Sequence, residues 1–343
     1  MNTKIRKSLN FLLQLIIILL AYWFIYRELF QKRDILQVVK ILRDQFLNRA
    51  FLNFLIYVFL LMFVNWGLEA QKWKYLIGKF EHISFFQSFK AVFSGVTVSV
   101  FTPNRVGEYF GRVFILKQLH PLKGVFITFI GSMGQLLSTI VFGLLALVFF
   151  MPRLFDISLF PNQLIYWGIA ILSLLCVFLL ILFYLNFQYV STLIERLVPK
   201  KHNKLKRYTD IFKSYQSREL AFVFLISVLR YMIFSLQFIL LLLAFDIKLP
   251  ALQYLILVPL IFFAITVVPT IALSELGIRG SISLYLIGFF IENSGNMDND
   301  ASVGIIAAST LLWVINLVLP AILGALFVFN LRFLRPYKIN SDK

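Results

Sequence analysis

Uncharged, largely apolar runs occupy residues 8–26, 50–68, 124–152, 157–194, 249–274 and 301–331, with lengths of 19, 19, 29, 38, 26 and 31 residues. One helix needs roughly 20 such residues to cross a bilayer. A further run, residues 220–245, is interrupted only by Arg230. Membrane barrel strands would alternate in segments of about ten residues, whereas these runs have helical length. The fold class expected is all-α, a polytopic transmembrane helix bundle. Lys4, Arg6 and Lys7 precede the first run in the manner of a signal peptide, but its apolar part is too long and no small-x-small cleavage site follows. Residues 9–26 are therefore expected as a retained first helix.

Two further apolar segments are broken. Residues 83–116 carry Lys90, Pro103, Arg105, Gly107, Glu108, Gly111 and Arg112; residues 251–291 carry Pro259, Pro269, Glu275, Gly277, Arg279 and Gly280. Positive charge marks the cytoplasmic ends of spans. With the N-terminus inside, segments 1–8, 70–82, 117–123, 188–218 and 331–343 hold 20 Lys/Arg, and 27–50, 151–162, 246–250 and 292–300 hold 8. Most of those 8 fall in 27–50, where Ile35, Val38, Val39, Leu42 and Phe46 among Lys/Arg predict an interfacial amphipathic helix. The count works when each broken segment returns to the side it entered, the first from inside and the second from outside.

The chain then reads as a single integral membrane domain. Residues 1–50 form the first helix and the interfacial helix; 51–150 form a first repeat of span, broken hairpin and span. Residues 151–218 are a connecting helix and a basic cytoplasmic loop, 219–330 a second repeat of inverted topology, and 331–343 a basic cytoplasmic tail. The hairpins are expected to be re-entrant, ordinary crossing pairs being the alternative. At the breaks, Arg105-Val106-Gly107-Glu108 overlays Glu275-Leu276-Gly277-Ile278-Arg279, each downstream of a proline, so Pro103, Gly107, Pro269 and Gly277 are the expected hinges. Paired interrupted segments in corresponding halves point to a substrate site near the midplane.

Composition narrows the classes further. Hydrophobic residues make up 60% of the 343 and charged residues 14%, and 39 residues are Phe; a soluble fold could not hide so much apolar surface. Mean hydropathy is +0.86. The net charge of +17 sits between apolar runs, which excludes nucleic acid as the partner. The lone Cys176 permits no disulfide framework, and His82, His120 and His202 are scattered away from carboxylates, so neither metal nor other cofactor is expected.

An ionisable group at membrane depth costs at least about 2.5–3.5 kcal/mol on insertion scales and needs a partner or a purpose. Arg105, Glu108, Arg112, Arg230, Glu275 and Arg279 form that set. Four guanidiniums against two carboxylates suit an anionic ligand such as a lipid phosphate, which Arg can grip bidentately. The structural alternative is internal pairing, Arg105 with Glu275 and Arg279 with Glu108, locking the halves together. Arg230 is the eleventh residue of its run, about 17 Å along a helix, where snorkelling to a headgroup is difficult. Asn65, Glu69, Lys72 and Trp73 read as an interfacial anchor closing the second span. Gln135, Ser138 and Thr139, near Gly131, Gly134 and Gly143, read first as close helix packing and second as substrate contacts. The Lys200–Arg207 run is a topology signal that also suits anionic lipid.

At Thr102-Pro103-Asn104-Arg105-Val106-Gly107-Glu108, with Arg112 downstream, and at Gly277-Ile278-Arg279, the chain resembles the lysylphosphatidylglycerol synthase transmembrane-region family over about residues 10–330. That flippase-like domain occurs alone or fused to an aminoacyl-lipid synthase, and the stand-alone form is the one expected here. Ser274-Glu275 stands where the family usually has Gly-Gly, Gly280 follows Arg279 where Glu is usual, and Gly134-Gln135 replaces a frequent Glu-Arg pair. The resemblance implies lipid translocation or an accessory role in handling lipids or lipid-linked glycans.

The function expected is translocation of an anionic membrane lipid or lipid-linked phosphate between leaflets of the bacterial cytoplasmic membrane, with both termini cytoplasmic. The phosphate would sit between the broken hairpins on Arg105, Arg230 and Arg279, and a separate lipid-modifying enzyme is the expected protein partner. A membrane-embedded transferase or hydrolase using Glu108 or Glu275 as general base, and a non-catalytic partner subunit, are the alternatives.

Overall fold

The computed structural model describes residues 48–100, 105–154, 160–189, 210–268, 272–292 and 299–328, with isolated positions elsewhere. Most of the expected first helix and interfacial helix, the basic loop, the tail, Pro103 and Pro269 lie outside them. Among the described residues every regular element is helical. In chain order these are α1 (Arg49–Ile77), α2 (Phe85–Ser99), α3 (Gly107–Val113), α4 (Pro121–Leu154) and α5 (Phe160–Leu185). After a 3₁₀ turn at Asp210–Ser214 come α6 (Ser217–Ala244), α7 (Ala251–Val267), α8 (Ala272–Glu292) and α9 (Asn299–Trp313). A π turn at Val314–Val318 leads into α10 (Leu319–Val328).

Local chemistry sets these boundaries. Asn48 caps α1 by accepting from Ala50 N at 2.9 Å. Ser84 and Gln87 form a reciprocal capping box at the start of α2, at 3.2 and 2.9 Å. Pro121 opens α4, where a missing N–H costs nothing. The π turn has a cause in Pro320, whose ring collides with the carbonyl four residues back, that of Asn316. Widening the turn there accommodates the proline without ending the rod.

Among the described residues five helices are long and apolar enough to cross a membrane: Arg49–Ile77, Pro121–Pro152, Gln163–Leu185, Ser217–Ala244 and Ala301–Val328. The most apolar windows of the last and third differ sharply, 67% against 17% buried, so α9–α10 is the central rod and α5 lies at the periphery. Leu164, Ile171, Leu172, Phe178 and Phe183 of α5 are exposed, as a lipid-facing helix requires. The protein is thus a polytopic, all-α membrane protein.

Both broken segments form helix pairs. At 1.5 Å per residue, the 15 residues of α2 and 7 of α3 span only about 22 and 10 Å, short of the roughly 30 Å hydrocarbon core. The 17 of α7 and 21 of α8 reach about 26 and 32 Å, so the second pair is longer than the first. In the packing, α2 lies along α10, α7 lies along α4, and α1 and α6 pack on each other.

The first pair enters the interior because its backbone can approach others closely. A Cβ on Gly111 would stand 2.6 Å from Gly95 Cα, and one on Gly324 would stand 2.1 Å from the Phe93 carbonyl oxygen. Thr97 Oγ1 donates to the Ala321 carbonyl at 2.7 Å across the same contact. Small residues here replace the missing hydrophobic drive between helices in lipid. Gly324→Leu is therefore expected to push α2 off α10 and destabilise the protein by at least about 1–3 kcal/mol, read as a lowered melting temperature in detergent. An unchanged melting temperature would contradict this packing.

One expectation is overturned. The uncharged run ends at Leu68, but α1 continues to Ile77, so Glu69, Lys72 and Trp73 lie inside the bundle. Lys72 and Trp73 are each 1% exposed; these residues are not an interfacial anchor. Three acceptors, Glu69, Gly131 O and Ser227 Oγ, make burial of the ammonium tolerable.

Candidate functional site

The buried charges fall into two linked groups. The first is centred on the Glu69 carboxylate of α1. It accepts from Lys72 Nζ at 2.8 Å, from Arg112 Nη1 at 2.6 Å, and from Arg230 Nη1. Arg112, itself 2% exposed, turns its other nitrogen to Glu108 one helical turn back on α3. Arg230 comes from the middle of α6. Its Nε donates to Asn65 O and Oδ1, both at 3.1 Å, and its Nη1 also donates to Gln135 Oε1 at 3.0 Å. The guanidinium lies 5.6 Å from the Trp66 ring centre, within cation–π range. Asn65 Nδ2 continues to Asn316 Oδ1 of the π turn at 3.4 Å.

The second group is centred on Glu275, in the first turn of α8. Arg105 Nη2 donates to both of its oxygens at 2.9 and 3.2 Å, joining the two broken pairs. Arg279, one turn further along α8, donates through Nε at 2.9 Å and lies 2.7 Å away through Nη2. Arg105 adopts φ 55°, a left-handed conformation uncommon for a side chain of this size. Such strain persists where surrounding contacts hold it, and the grip of Glu275 is one of them.

Between the groups lies a cavity of about 280 Å³. Its walls include Arg105, Arg230 and Arg279, the polar side chains of Gln135 and Thr139, and the π turn at Asn316. None of the carboxylates lines it. Its three arginines face it with nitrogen to spare: among the described residues no partner engages Nη1 of Arg105, Nη1 of Arg279 or Nη2 of Arg230. Across both groups five cations (Lys72, Arg105, Arg112, Arg230, Arg279) meet three carboxylates (Glu69, Glu108, Glu275), an excess of two positive charges.

Of the residues expected at the site, Arg105, Arg230 and Arg279 converge on the cavity, while Glu275 stands behind two of them. Arg112 and Glu108 do not reach it and tie α3 to α1 instead. Of the two pairs in the internal-pairing alternative, Arg105–Glu275 forms, but Arg279–Glu108 does not. Each of those residues finds an opposite charge four residues away on its own helix, which costs less ordering than a partner across the bundle. Gly107 starts α3 against the Val98 carbonyl, where a Cβ would come within 2.4 Å; Gly277 lies inside α8 with open space around it.

The residues missed are Glu69, Lys72 and Asn65 as members of the charged core, and Gln135 as the neighbour of Arg230. Their signal was the spacing 65, 69, 72, which places three polar groups on one helical face.

The family model described as the lysylphosphatidylglycerol synthase TM region matches residues 11–295. The match therefore includes both charged groups and ends before α9 and the π turn, which supply Leu312, Trp313, Asn316 and Leu317 to the cavity wall. No curated protein and no solved structure matches the chain.

Proposed function

Because the chain belongs to the lysylphosphatidylglycerol synthase transmembrane-region family, we propose that it translocates an anionic lipid or lipid-linked phosphate between leaflets. One observation carries this reading. Arginines from three separate segments line a single cavity, and among the described residues each keeps an uncommitted N–H edge and no carboxylate lies beside it in the wall. A guanidinium fork matches phosphate oxygens geometrically and stays charged when desolvated. The reciprocal packing of α2 on α10 and α7 on α4 supports two inverted halves that rock about this cavity. The chain sits in the bacterial cytoplasmic membrane with both termini cytoplasmic, as its Lys/Arg distribution favours.

Glu275 holds Arg105 and Arg279 together. An arriving phosphate competes with that carboxylate for both arginines and shares Arg230, loosening the link between the broken pairs. Turnover follows from this exchange of partners, not from bond cleavage. The hydrolase or transferase alternative needs a carboxylate facing the substrate, and Glu69, Glu108 and Glu275 are all committed to cations behind the cavity wall.

Lipid carried through purification tests the reading. Mass spectrometry of wild-type protein is expected to find anionic lipid enriched over the host membrane, and Arg230→Ala is expected to lower that enrichment about tenfold, the loss of one charged hydrogen bond pair. Glu69 keeps Lys72 and Arg112 in that variant, so the fold survives. Equal enrichment in both proteins would contradict the proposal.

A further inference from the structure

The wall of the cavity away from the arginines is polar but uncharged. Gln135 and Thr139 stand one turn apart on α4, and Thr266 stands opposite on α7, the helix packed along α4. Their hydrogen-bonding capacity follows from chemistry. Arg230 has only donors, so the Gln135 atom 3.0 Å from its Nη1 is the carbonyl oxygen. The Gln135 amide nitrogen is thereby fixed as the other branch, and it has no partner among the described residues. Thr139 spends its proton on the main-chain carbonyl of Gln135 at 3.3 Å and Thr266 spends its own on the main-chain carbonyl of Phe262 at 2.7 Å. Both hydroxyls are left with acceptor lone pairs. The patch therefore offers two N–H donors and two oxygen acceptors beside the arginines, a pattern met by hydroxyl groups, which both donate and accept.

Volume agrees. A cavity of about 280 Å³ holds roughly nine waters at bulk density, more than a bare phosphate fills, so space remains for a substituent. Charge restricts what that substituent is. Among the described residues no carboxylate lines the cavity, and three arginines do. An ammonium placed there meets like charge at close range without a counter-ion.

We infer that the cavity selects a phosphodiester with a neutral, hydroxyl-bearing headgroup, such as glycerol or a sugar, and rejects headgroups carrying an amine. Gln135, Thr139 and Thr266 determine this specificity. The inference rests on the translocation reading above and sharpens its substrate class. It also sets this chain apart from an aminoacylated lipid as cargo.

The test uses full-length protein in proteoliposomes with four tracer lipids: phosphatidylglycerol, phosphatidylmethanol, lysyl-phosphatidylglycerol, and a polyprenyl phosphate bearing a neutral sugar. Phosphatidylmethanol has the same charge as phosphatidylglycerol but no hydroxyl. The hydroxylated anions are expected to move about tenfold faster than phosphatidylmethanol, and the lysyl lipid not above the protein-free rate. Which of the two hydroxylated anions moves faster distinguishes a glycerophospholipid from a glycan carrier, and either order supports the inference. The Thr139→Val, Thr266→Val double variant, matched in shape, is expected to bring the faster lipid down toward phosphatidylmethanol without lowering the melting temperature. Equal rates for phosphatidylglycerol, the sugar phosphate and phosphatidylmethanol overturn the inference and leave translocation standing, as does movement of the lysyl lipid at the phosphatidylglycerol rate. No movement of any lipid overturns both.

Discussion

Glu69→Leu is expected to leave little folded protein. Three cations converge on this one carboxylate, and both Lys72 and Arg112 have side chains no more than 2% exposed. Removing the negative charge strands Lys72 with only neutral acceptors and leaves Arg112 with Glu108 alone. Arg112 Nε already lacks a partner, so no spare interaction compensates. Breaking a buried ion pair by deleting one member costs about 3–5 kcal/mol, and here one deletion breaks three. The loss is read as a fall in the monodisperse fraction and melting temperature in detergent. A partial remedy is expected from the double variant Glu69→Gln, Lys72→Met, which removes the most deeply buried of the uncompensated charges. A Glu69→Leu protein as stable as wild type would show that the cluster carries no structural weight.

Glu275→Gln is expected to act on function with little effect on the fold. Arg105 is 36% exposed in its side chain and faces the cavity with Arg279, so water can solvate both once the carboxylate is gone. Under the proposed exchange, Glu275 is the competitor that lipid phosphate displaces. Its removal is expected to increase retained anionic lipid by about tenfold or more, since each 1.4 kcal/mol of lost competition is a factor of ten. Movement between leaflets should slow at the same time, because no carboxylate remains to take the arginines back from the phosphate. Lipid retention by mass spectrometry and transport in proteoliposomes give the two readings. Weaker retention in Glu275→Gln would mean that this carboxylate organises the arginines for the ligand instead of competing with it.

The bundle was legible because span length is dictated by bilayer thickness and shows up as uncharged runs. The broken segments were legible too, since proline and glycine beside charges mark where a membrane segment is interrupted, although Pro259 and Gly277 themselves lie within α7 and α8. Arg230 stood out by its position deep within an apolar run, and Arg105 and Glu275 by their matching places in the two breaks. Glu69 and Lys72 were obscured because reading from charge to charge ends a span at its first ionisable residue. Their polar stripe with Asn65 belongs to a helix that continues to Ile77. Pairing was the least legible feature. The internal-pairing alternative joined Arg279 to Glu108, although Glu108 with Arg112 and Glu275 with Arg279 each have the four-residue spacing of neighbours on one helix. The π turn gave a signal only through Pro320, and its place in the cavity wall depends on packing that no local pattern encodes.

The most direct measurement is leaflet-to-leaflet movement of labelled anionic and zwitterionic phospholipids in proteoliposomes, with wild type beside Arg105→Ala, Arg230→Ala and Arg279→Ala. Movement of anionic lipid well above the protein-free rate, little movement of zwitterionic lipid, and loss of the difference in all three variants is the result expected if these arginines hold one phosphate. Acceleration that survives removal of any one of the three, or that treats both lipid classes alike, would contradict a phosphate held in this cavity.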